Sequence, residues 1–297
     1  MQHVEHGVGA AGARATARRS WWRQPLAWYQ VAVALAGTVW LVFAFYPVFY
    51  ILITSLRSQQ GYLMGIPWLP SAHPTFENYA TVFQTGFAHY FLNSVIVSVC
   101  TVALIVACSL LLAYVVVQTQ NRFVRLVFNV FLVGLSLPIQ AAIIPVYVLV
   151  TNVIHLYDTL IGLILPSVAF GLPLTILILV NFIRDIPREL YESMYLDGAT
   201  DFILLRHLVV PLSRSALISV SIYDFVQAWN NFLFPLVLTQ SDASRVLPLA
   251  ITNFQGQYTM NVPAIMAFVI LSALPLILAY AFGRQYLLRG MLAGFSK

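Results

Sequence analysis

One short segment, IYDFVQAWNNFLFP, carries polar side chains at helical spacing inside a long apolar stretch. Asp224, Gln227 and Asn231 recur at i, i+3 and i+7, which places them on one face of a helix. A carboxylate and amides on one face can hydrogen-bond a polar solute that passes along it. Hydrogen bonding between neighbouring helices is the other open interpretation. The candidate pathway residues are Asp224, Gln227, Trp229, Asn230 and Asn231.

A second segment, from Pro187 to Pro211, is a charged insert in a chain that is otherwise nearly uncharged. Pro187 suits the first turn of a helix that runs to about Asp197. Gly198 then permits a reversal, and Thr200 or Asp201 can cap a second helix. Nine charged or titratable side chains fall between Asp185 and Arg214: Asp185, Arg188, Glu189, Glu192, Asp197, Asp201, Arg206, His207 and Arg214.

The helix–turn–helix that this segment predicts has two interpretations. It is either an amphipathic hairpin that lies at a membrane surface and only links two spans, or a docking surface for a soluble partner. The spacing of its charged residues favours neither one.

Composition identifies the class of protein. The chain has 297 residues, of which 60% are hydrophobic and 8% are charged, and its mean hydropathy is +0.84. Soluble domains carry about 25% charged residues, so this chain cannot cover a water-exposed surface. The sequence therefore predicts an integral membrane protein, and the net charge of +5 does not indicate nucleic-acid binding.

The apolar stretches predict an all-α fold with six transmembrane helices and a cytoplasmic helix–turn–helix, residues 185–214, between spans 4 and 5. Each stretch is about 21–24 residues, enough for a hydrocarbon core of ~30 Å. The predicted spans are Val31–Ile53, Val95–Val117, Val127–Val150, Leu160–Phe182, Ile218–Thr239 and Val262–Phe282.

Basic residues predict the orientation. If there are six spans, 13 of the 15 basic residues fall on one side, and only Arg57 and Arg245 fall on the other. The positive-inside rule then places both termini and the charged segment in the cytoplasm of a bacterial or archaeal cell. Residues 1–26 are expected to be a disordered cytoplasmic tail and residues 27–297 the membrane domain; a cleaved signal peptide is disfavoured because the apolar run is too long.

Several kinds of chemistry are excluded. Lys297 is the only lysine, so the chain has neither the Gly-Lys pair of a phosphate-binding loop nor an internal lysine for a Schiff base. Cys100 and Cys108 are expected to pack as small apolar residues, and the six histidines have no metal-ligand spacing. We predict no catalytic residue, no metal site and no ATPase site, so this chain is not expected to be an enzyme.

The charged segment resembles the cytoplasmic coupling motif of ABC importer permeases, which reads Glu-Ala-Ala, three residues, Gly, nine residues, then Ile-x-Leu-Pro. Here Glu192 begins the motif, Gly198 is its glycine, and Pro211 follows thirteen residues later; Ser193 and Met194 replace the two alanines. The matching positions are Glu192, Ser193, Met194, Asp197, Gly198, Ala199 and Pro211.

The runs WNNFLFPL and GMLAGFSK resemble the maltose-type sugar importers, and in particular the smaller of their two permease subunits. The resemblance implies a second permease subunit, two copies of a separate ATPase that holds ATP and Mg²⁺, and an external sugar-binding protein. It also implies that this chain needs no cofactor of its own and moves by alternating access. Sugars are bound by carboxylate and amide hydrogen bonds and by aromatic faces, which fits the candidate pathway residues.

Other transport classes fit the sequence less well. An ion-coupled secondary transporter would normally show several intramembrane ionisable groups or an inverted repeat, and Asp224 is the only charge within a predicted span. No selectivity-filter run of a channel is evident. An ABC importer permease for a solute other than sugar remains the alternative.

Overall fold

The computed structural model describes residues 28–254, 256 and 260–293, with side chains as far as residue 283. The predicted tail, residues 1–26, lies outside the described residues. Every regular element of the described residues is helical. The helices are α1 Trp28–Ser55, α2 Gln59–Met64, α3 Glu77–Gln84, α4 Phe87–Gln118, α5 Arg122–Gly134, α6 Ile139–Val148, α7 Leu160–Arg184, α8 Arg188–Leu196, α9 Asp201–Leu204, α10 Val210–Leu212, α11 Arg214–Trp229, α12 Leu233–Leu238, α13 Leu247–Ala250 and α14 Val262–Ala293.

Three short irregular turns extend these helices. A π-helical turn continues α6, a second one joins α9 to α10, and a 3₁₀ turn follows α13. These turns span Leu149–Val153, Leu205–Val209 and Ile251–Phe254, respectively.

Four of the described helices, α1, α4, α7 and α14, are long and apolar enough to cross a membrane. Two bent pairs also qualify if each pair is one span: α5 with α6 and its π turn, bent by 110°, and Asp201–Leu212 with α11, bent by 77°. The described residues therefore contain four to six candidate spans, and each continuous one includes a predicted span.

The third and fifth predicted spans are broken, and in each case a proline lies at or just after the break. The third changes direction between Gly134 and Ile139, because Pro138 has no backbone N–H and keeps the residue before it out of helical geometry. The fifth stops at Trp229 and resumes at Leu233, because the ring of Pro235 would clash with the carbonyl of Asn231 in a continuous helix.

The chain divides into two units, residues 1–49 and 50–297. In the second unit, the core is formed where α4, α7 and α11 pack with the charged segment. Leu179, Val180 and Ile183 of α7 are fully buried there, together with Leu204 and Ala216. Burial of these side chains stabilises the fold by about 25 cal/mol per Å² of apolar surface removed from water.

Helices α4 and α7 approach each other very closely at one point. A Cβ atom built on Gly171 would lie 2.3 Å from Cδ1 of Ile105, nearer than Cβ atoms are found in proteins. A larger residue at position 171 would have to displace the Ile105 side chain, so glycine favours this close packing.

Candidate functional site

A cavity of about 360 Å³ lies between α4, α7, α11 and the segment that joins α11 to α12. The helix breaks after Trp229, and the non-helical backbone that follows the break lines the cavity. Apolar side chains, among them Ile105 and Phe170, form the rest of the wall. The polar residues that line it are Ser167, Tyr223, Asp224, Gln227, Asn230 and Asn231.

Asp224 is the charged residue of this cavity, and its side chain is almost inaccessible at 2% exposure. The Thr175 hydroxyl donates a hydrogen bond of 2.9 Å to its Oδ2 atom, and so links α7 to α11. Among the described residues, no arginine or histidine forms an ion pair with it. Burying a carboxylate in such apolar surroundings costs free energy unless hydrogen bonds or a cation compensate for the lost water. Carboxylates buried in this way inside a membrane protein often face a cavity or a partner group.

The three predicted amides line the same cavity. The side-chain amide of Gln227 donates to the Tyr223 hydroxyl at 3.0 Å. Asn231 donates to the Ser167 hydroxyl at 3.4 Å and accepts from the Phe234 backbone N–H at 3.3 Å. Each amide keeps hydrogen-bonding capacity beyond these contacts, since a primary amide offers two N–H donors and two acceptor lone pairs.

Trp229 does not line this cavity, unlike the other four predicted pathway residues. It is 3% exposed, and its indole N–H donates to the Ser272 carbonyl of α14 at 3.1 Å. Its ring packs against Phe91 and Phe225, with centroid distances of 5.7 and 5.5 Å. In this structure Trp229 therefore joins α11 to α14, and Tyr223 is the aromatic residue of α11 at the cavity.

Helix α7 supplies site residues that sequence reasoning missed. Ser167, Gly171 and Thr175 recur every four residues on one face of the helix. The Ser167 hydroxyl lines the cavity, Gly171 makes the close contact with α4, and Thr175 donates a hydrogen bond to Asp224. The spacing of small and polar residues in an otherwise apolar span was the signal that could have identified them.

Residues 185–214, which carry the resemblance to the coupling motif, are called the coupling segment below. They contain helices on both sides of a reversal at Gly198. Pro187 lies one residue before α8, which ends at Leu196. Gly198 has φ +80°, in the left-handed region, and the Ala199 N–H donates to the Met194 carbonyl at 2.9 Å. This geometry is a typical helix C-terminal cap with glycine in the left-handed conformation.

The residues of the motif divide between an exposed and a packed face. Glu192, Ser193 and Asp197 are exposed, as are Gly198 and Pro211. Met194 and Ala199 are half-buried against the core of the second unit. Met194 therefore fills space beneath the segment, whereas Ser193, whose hydroxyl donates to the Leu190 carbonyl, lies on the exposed face.

A carboxylate joins the two halves of the segment to the membrane helices. Oδ1 of Asp201 accepts a hydrogen bond of 2.7 Å from the Tyr195 hydroxyl and one of 2.9 Å from the Tyr114 hydroxyl. Tyr114 is buried near the end of α4, while Tyr195 belongs to α8. This cluster of three residues ties α4, α8 and α9 together.

At the other end of α7, Asp158 holds two loops together. Its Oδ1 atom accepts from the backbone N–H groups of Gln240 and Ser241, at 2.8 and 3.0 Å, and from the Ser244 hydroxyl. Its own N–H donates to the Leu238 carbonyl at 2.9 Å. Burial opposes ionisation of Asp158, but the hydrogen bonds from Gln240, Ser244 and Ser241 outweigh it and hold the pKa well below its usual value.

Comparison with known proteins identifies relatives over most of the chain. It is 42% identical over 270 residues to a putative ABC transporter permease protein of a Caldicellulosiruptor species, covering 91% of this chain and 96% of the relative. It is 32% identical over 245 residues to the diacetylchitobiose uptake system permease protein of Streptomyces coelicolor, covering 82% and 80%.

A solved structure has the same fold. It is a bacterial ABC transporter involved in the import of the acidic polysaccharide alginate, and one of its chains matches with a TM-score of 0.76 at 19% identity, over 87% of this chain and 96% of that one. The family model for the inner membrane component of binding-protein-dependent transport systems matches residues 105–292. These residues include the cavity and the coupling segment, so the chain belongs to the family of binding-protein-dependent transport system inner membrane components.

Proposed function

We propose that this chain is a permease subunit of an ATP-driven importer for di- or oligosaccharides. The observation that carries the proposal is the cavity in which Asp224, Gln227, Asn230 and Asn231 meet between α4, α7 and α11. Neutral sugars present many hydroxyls, which carboxylate and amide groups recognise by hydrogen bonds. The proposal is supported by the relatives whose names give diacetylchitobiose and alginate as the transported solutes.

The proposed topology has six spans, with both termini and residues 185–214 in the cytoplasm. The bent pair α5–α6 counts as one span in this arrangement, and α11 with α12 forms the fifth span. The asymmetry of arginines supports it, since positive residues collect on the cytoplasmic side of bacterial membrane proteins. The Asp158 loops then lie on the external side, at the opposite end of α7 from the coupling segment.

The proposed complex divides the work among several chains. A second permease subunit completes the pathway, and an external binding protein delivers the sugar. Two ATPase subunits dock on the exposed face of the coupling segment, where Glu192 and Asp197 can pair with basic groups. ATP and Mg²⁺ belong to the ATPases, since this chain has no lysine for a phosphate-binding loop.

Movement of the ATPases is expected to reach the cavity through packed elements of this chain. The coupling segment packs on α7 and α11, and Asp201 links it to α4. Those three helices also form the cavity, so a shift of the segment can change the cavity's shape and its access from either side. This is alternating access in which the partner ATPases supply the energy.

The test is uptake by the assembled complex. The chain is tagged, purified with its partners and reconstituted in vesicles with the binding protein and labelled disaccharides, oligosaccharides or non-sugar solutes. ATP-dependent accumulation of a saccharide is the expected result. ATP-dependent uptake of non-sugar solutes alone would replace the substrate assignment, and uptake by this chain without an ATPase would overturn the importer assignment.

Orientation has its own test. In a variant without Cys100 and Cys108, single cysteines at Ser193 and Ala243 are labelled in intact cells by an impermeant reagent. Ala243 is expected to react and Ser193 to be protected. The reverse pattern would mean that the topology is inverted.

A further inference from the structure

A second cavity, of about 610 Å³, lies beside α8 of the coupling segment. It forms where the end of α4, the first turns of α5, the end of α7 and α8 meet. Its volume is within the range of ~300–1,000 Å³ found for small-molecule sites. It shares no lining residue with the cavity that contains Asp224, so the solute pathway does not explain it.

The lining of this cavity carries an excess of positive charge. Arg125, Arg184 and Arg188 line it, and Glu192 is the one acidic residue among the lining side chains, which leaves two positive charges in excess. The ion pair found in the described part of the chain, Arg245 with Asp242, lies elsewhere. Three guanidinium groups around one space attract an anion, and their fork of N–H donors matches a phosphate group in particular.

The position and apolar wall of the cavity favour an amphiphile over a free anion. Val116, Phe128 and Ile186 line it beside the arginines. It lies at the level where α5 begins, and α5 exposes the apolar side chains of Phe123 in its first turn and of Val130 about two turns further on. In the proposed topology this cavity lies at the cytoplasmic edge of the membrane, where a cationic, partly apolar cavity suits the headgroup region of a lipid.

We propose that this cavity binds the phosphate headgroup of an anionic phospholipid. Glu192 and Tyr195 of α8 also line it, so an occupant touches the helix that carries the coupling motif. Bound lipid is therefore expected to stabilise the position of α8 and to raise coupled transport. The inference does not depend on which solute is carried.

Binding is tested on the assembled complex in nanodiscs made of phosphatidylcholine, with or without phosphatidylglycerol. Retained phosphatidylglycerol is measured by native mass spectrometry, and its apparent affinity by titration with a labelled analogue. Arg125→Gln, Arg184→Gln and Arg188→Gln should each lower that affinity by about tenfold, the effect of losing one charge-assisted hydrogen bond. Arg→Lys changes at the same positions keep the positive charge but lose the forked pair of guanidinium N–H donors, and they should have smaller effects.

Arg122→Gln is the matched control. Arg122 begins the same helix as Arg125 and is exposed, but does not line the cavity. It should keep the affinity of the unchanged chain. An equal loss in Arg122→Gln would mean that general surface charge attracts the lipid, and the site would be rejected.

Two further arms distinguish other occupants. Inorganic phosphate at concentrations that match the lipid phosphate should not displace the labelled lipid; if it does, the site binds a free anion and the lipid assignment is wrong. If the labelled lipid binds only when the ATPase is absent, the arginines contact the ATPase and the proposal fails. Basal sugar uptake in phosphatidylcholine alone is measured in parallel, so that loss of lipid binding can be told apart from failure of the importer assignment.

Discussion

The hydroxyl of Tyr114 donates a hydrogen bond of 2.9 Å to Oδ1 of Asp201, and this bond joins a membrane helix to the coupling segment. Tyr114 is buried in α4, whereas Asp201 begins α9 at the exposed surface. The same oxygen also accepts from Tyr195 of α8. The two halves of the segment and α4 are thereby held by one carboxylate.

Tyr114→Phe is expected to weaken transport more than ATP hydrolysis. It removes the link to α4 while leaving the ring in place. The loss of one hydrogen bond costs about 1 kcal/mol of folding stability, because water can hydrate the exposed carboxylate instead. Asp201→Asn is the control, since its amide oxygen can still accept from both tyrosines. Uptake per ATP hydrolysed is the measurement, and equal coupling ratios in the two variants would contradict the prediction.

Asp224→Asn is expected to leave the complex assembled and to lower sugar uptake by about tenfold or more, the effect of losing one charge-assisted hydrogen bond to the solute. The amide keeps an acceptor for the Thr175 hydroxyl and has nearly the same shape. Thr175→Val provides the comparison, because it removes that hydrogen bond and leaves the carboxylate. If Asp224 mainly holds the helices together, both changes should lower thermal stability and Asp224→Asn should transport normally when assembled.

Gly198→Asp is expected to abolish uptake without preventing membrane insertion. Apart from the two adjacent residues, no described part of the chain lies within 4 Å of a Cβ at position 198, so crowding would come from a docked partner. Gly198→Ala and Gly198→Asn distinguish crowding against a docked partner from strain in the left-handed turn. The φ of +80° costs alanine about 1–2 kcal/mol, whereas asparagine tolerates it but presents a larger side chain. Stronger loss of ATPase association in Gly198→Asn supports docking; stronger loss in Gly198→Ala means that the turn alone matters.

Asp158 is expected to make stability depend on pH. Its pKa is lowered in the folded protein, so the stabilisation is fully present above the unfolded value of about 3.9 and is lost as the pH falls towards the folded value. The melting temperature of Asp158→Asn should therefore be several degrees below that of the unchanged chain at pH 7. The difference should shrink below about pH 4. A constant difference across this range would show that the charge of Asp158 is not responsible.

The sequence was sufficient for the helical class, the approximate spans and most of the polar cavity. Asp224, Gln227 and Asn231 share a cavity because a helical repeat of 3.6 residues places them on one face, which needs no tertiary information. Trp229 could not be placed in the same way: it lies between Gln227 and Asn230 in the sequence, and only its packing against α14 shows that it faces away from the cavity.

Other features depend on contacts between distant parts of the chain. The bond between Tyr114 and Asp201 joins residues 87 positions apart, and no local pattern indicates it. The full breaks at Gly134–Ile139 and after Trp229 were also missed, because each apolar stretch of suitable length was interpreted as one span. The proline in each stretch indicated a kink, but the size of the bend depends on packing.

The close contact between Gly171 and Ile105 determines how wide the solute cavity can be. Ile105 is 2% exposed, lines the cavity and is held against α7 because position 171 has no side chain. A hydrocarbon side chain thus limits the width of the cavity at this point, while its hydrogen-bonding groups lie on α7, on α11 and in the segment after α11. Selection for a longer or bulkier solute can therefore act at residue 105 alone and leave the chemistry of recognition unchanged.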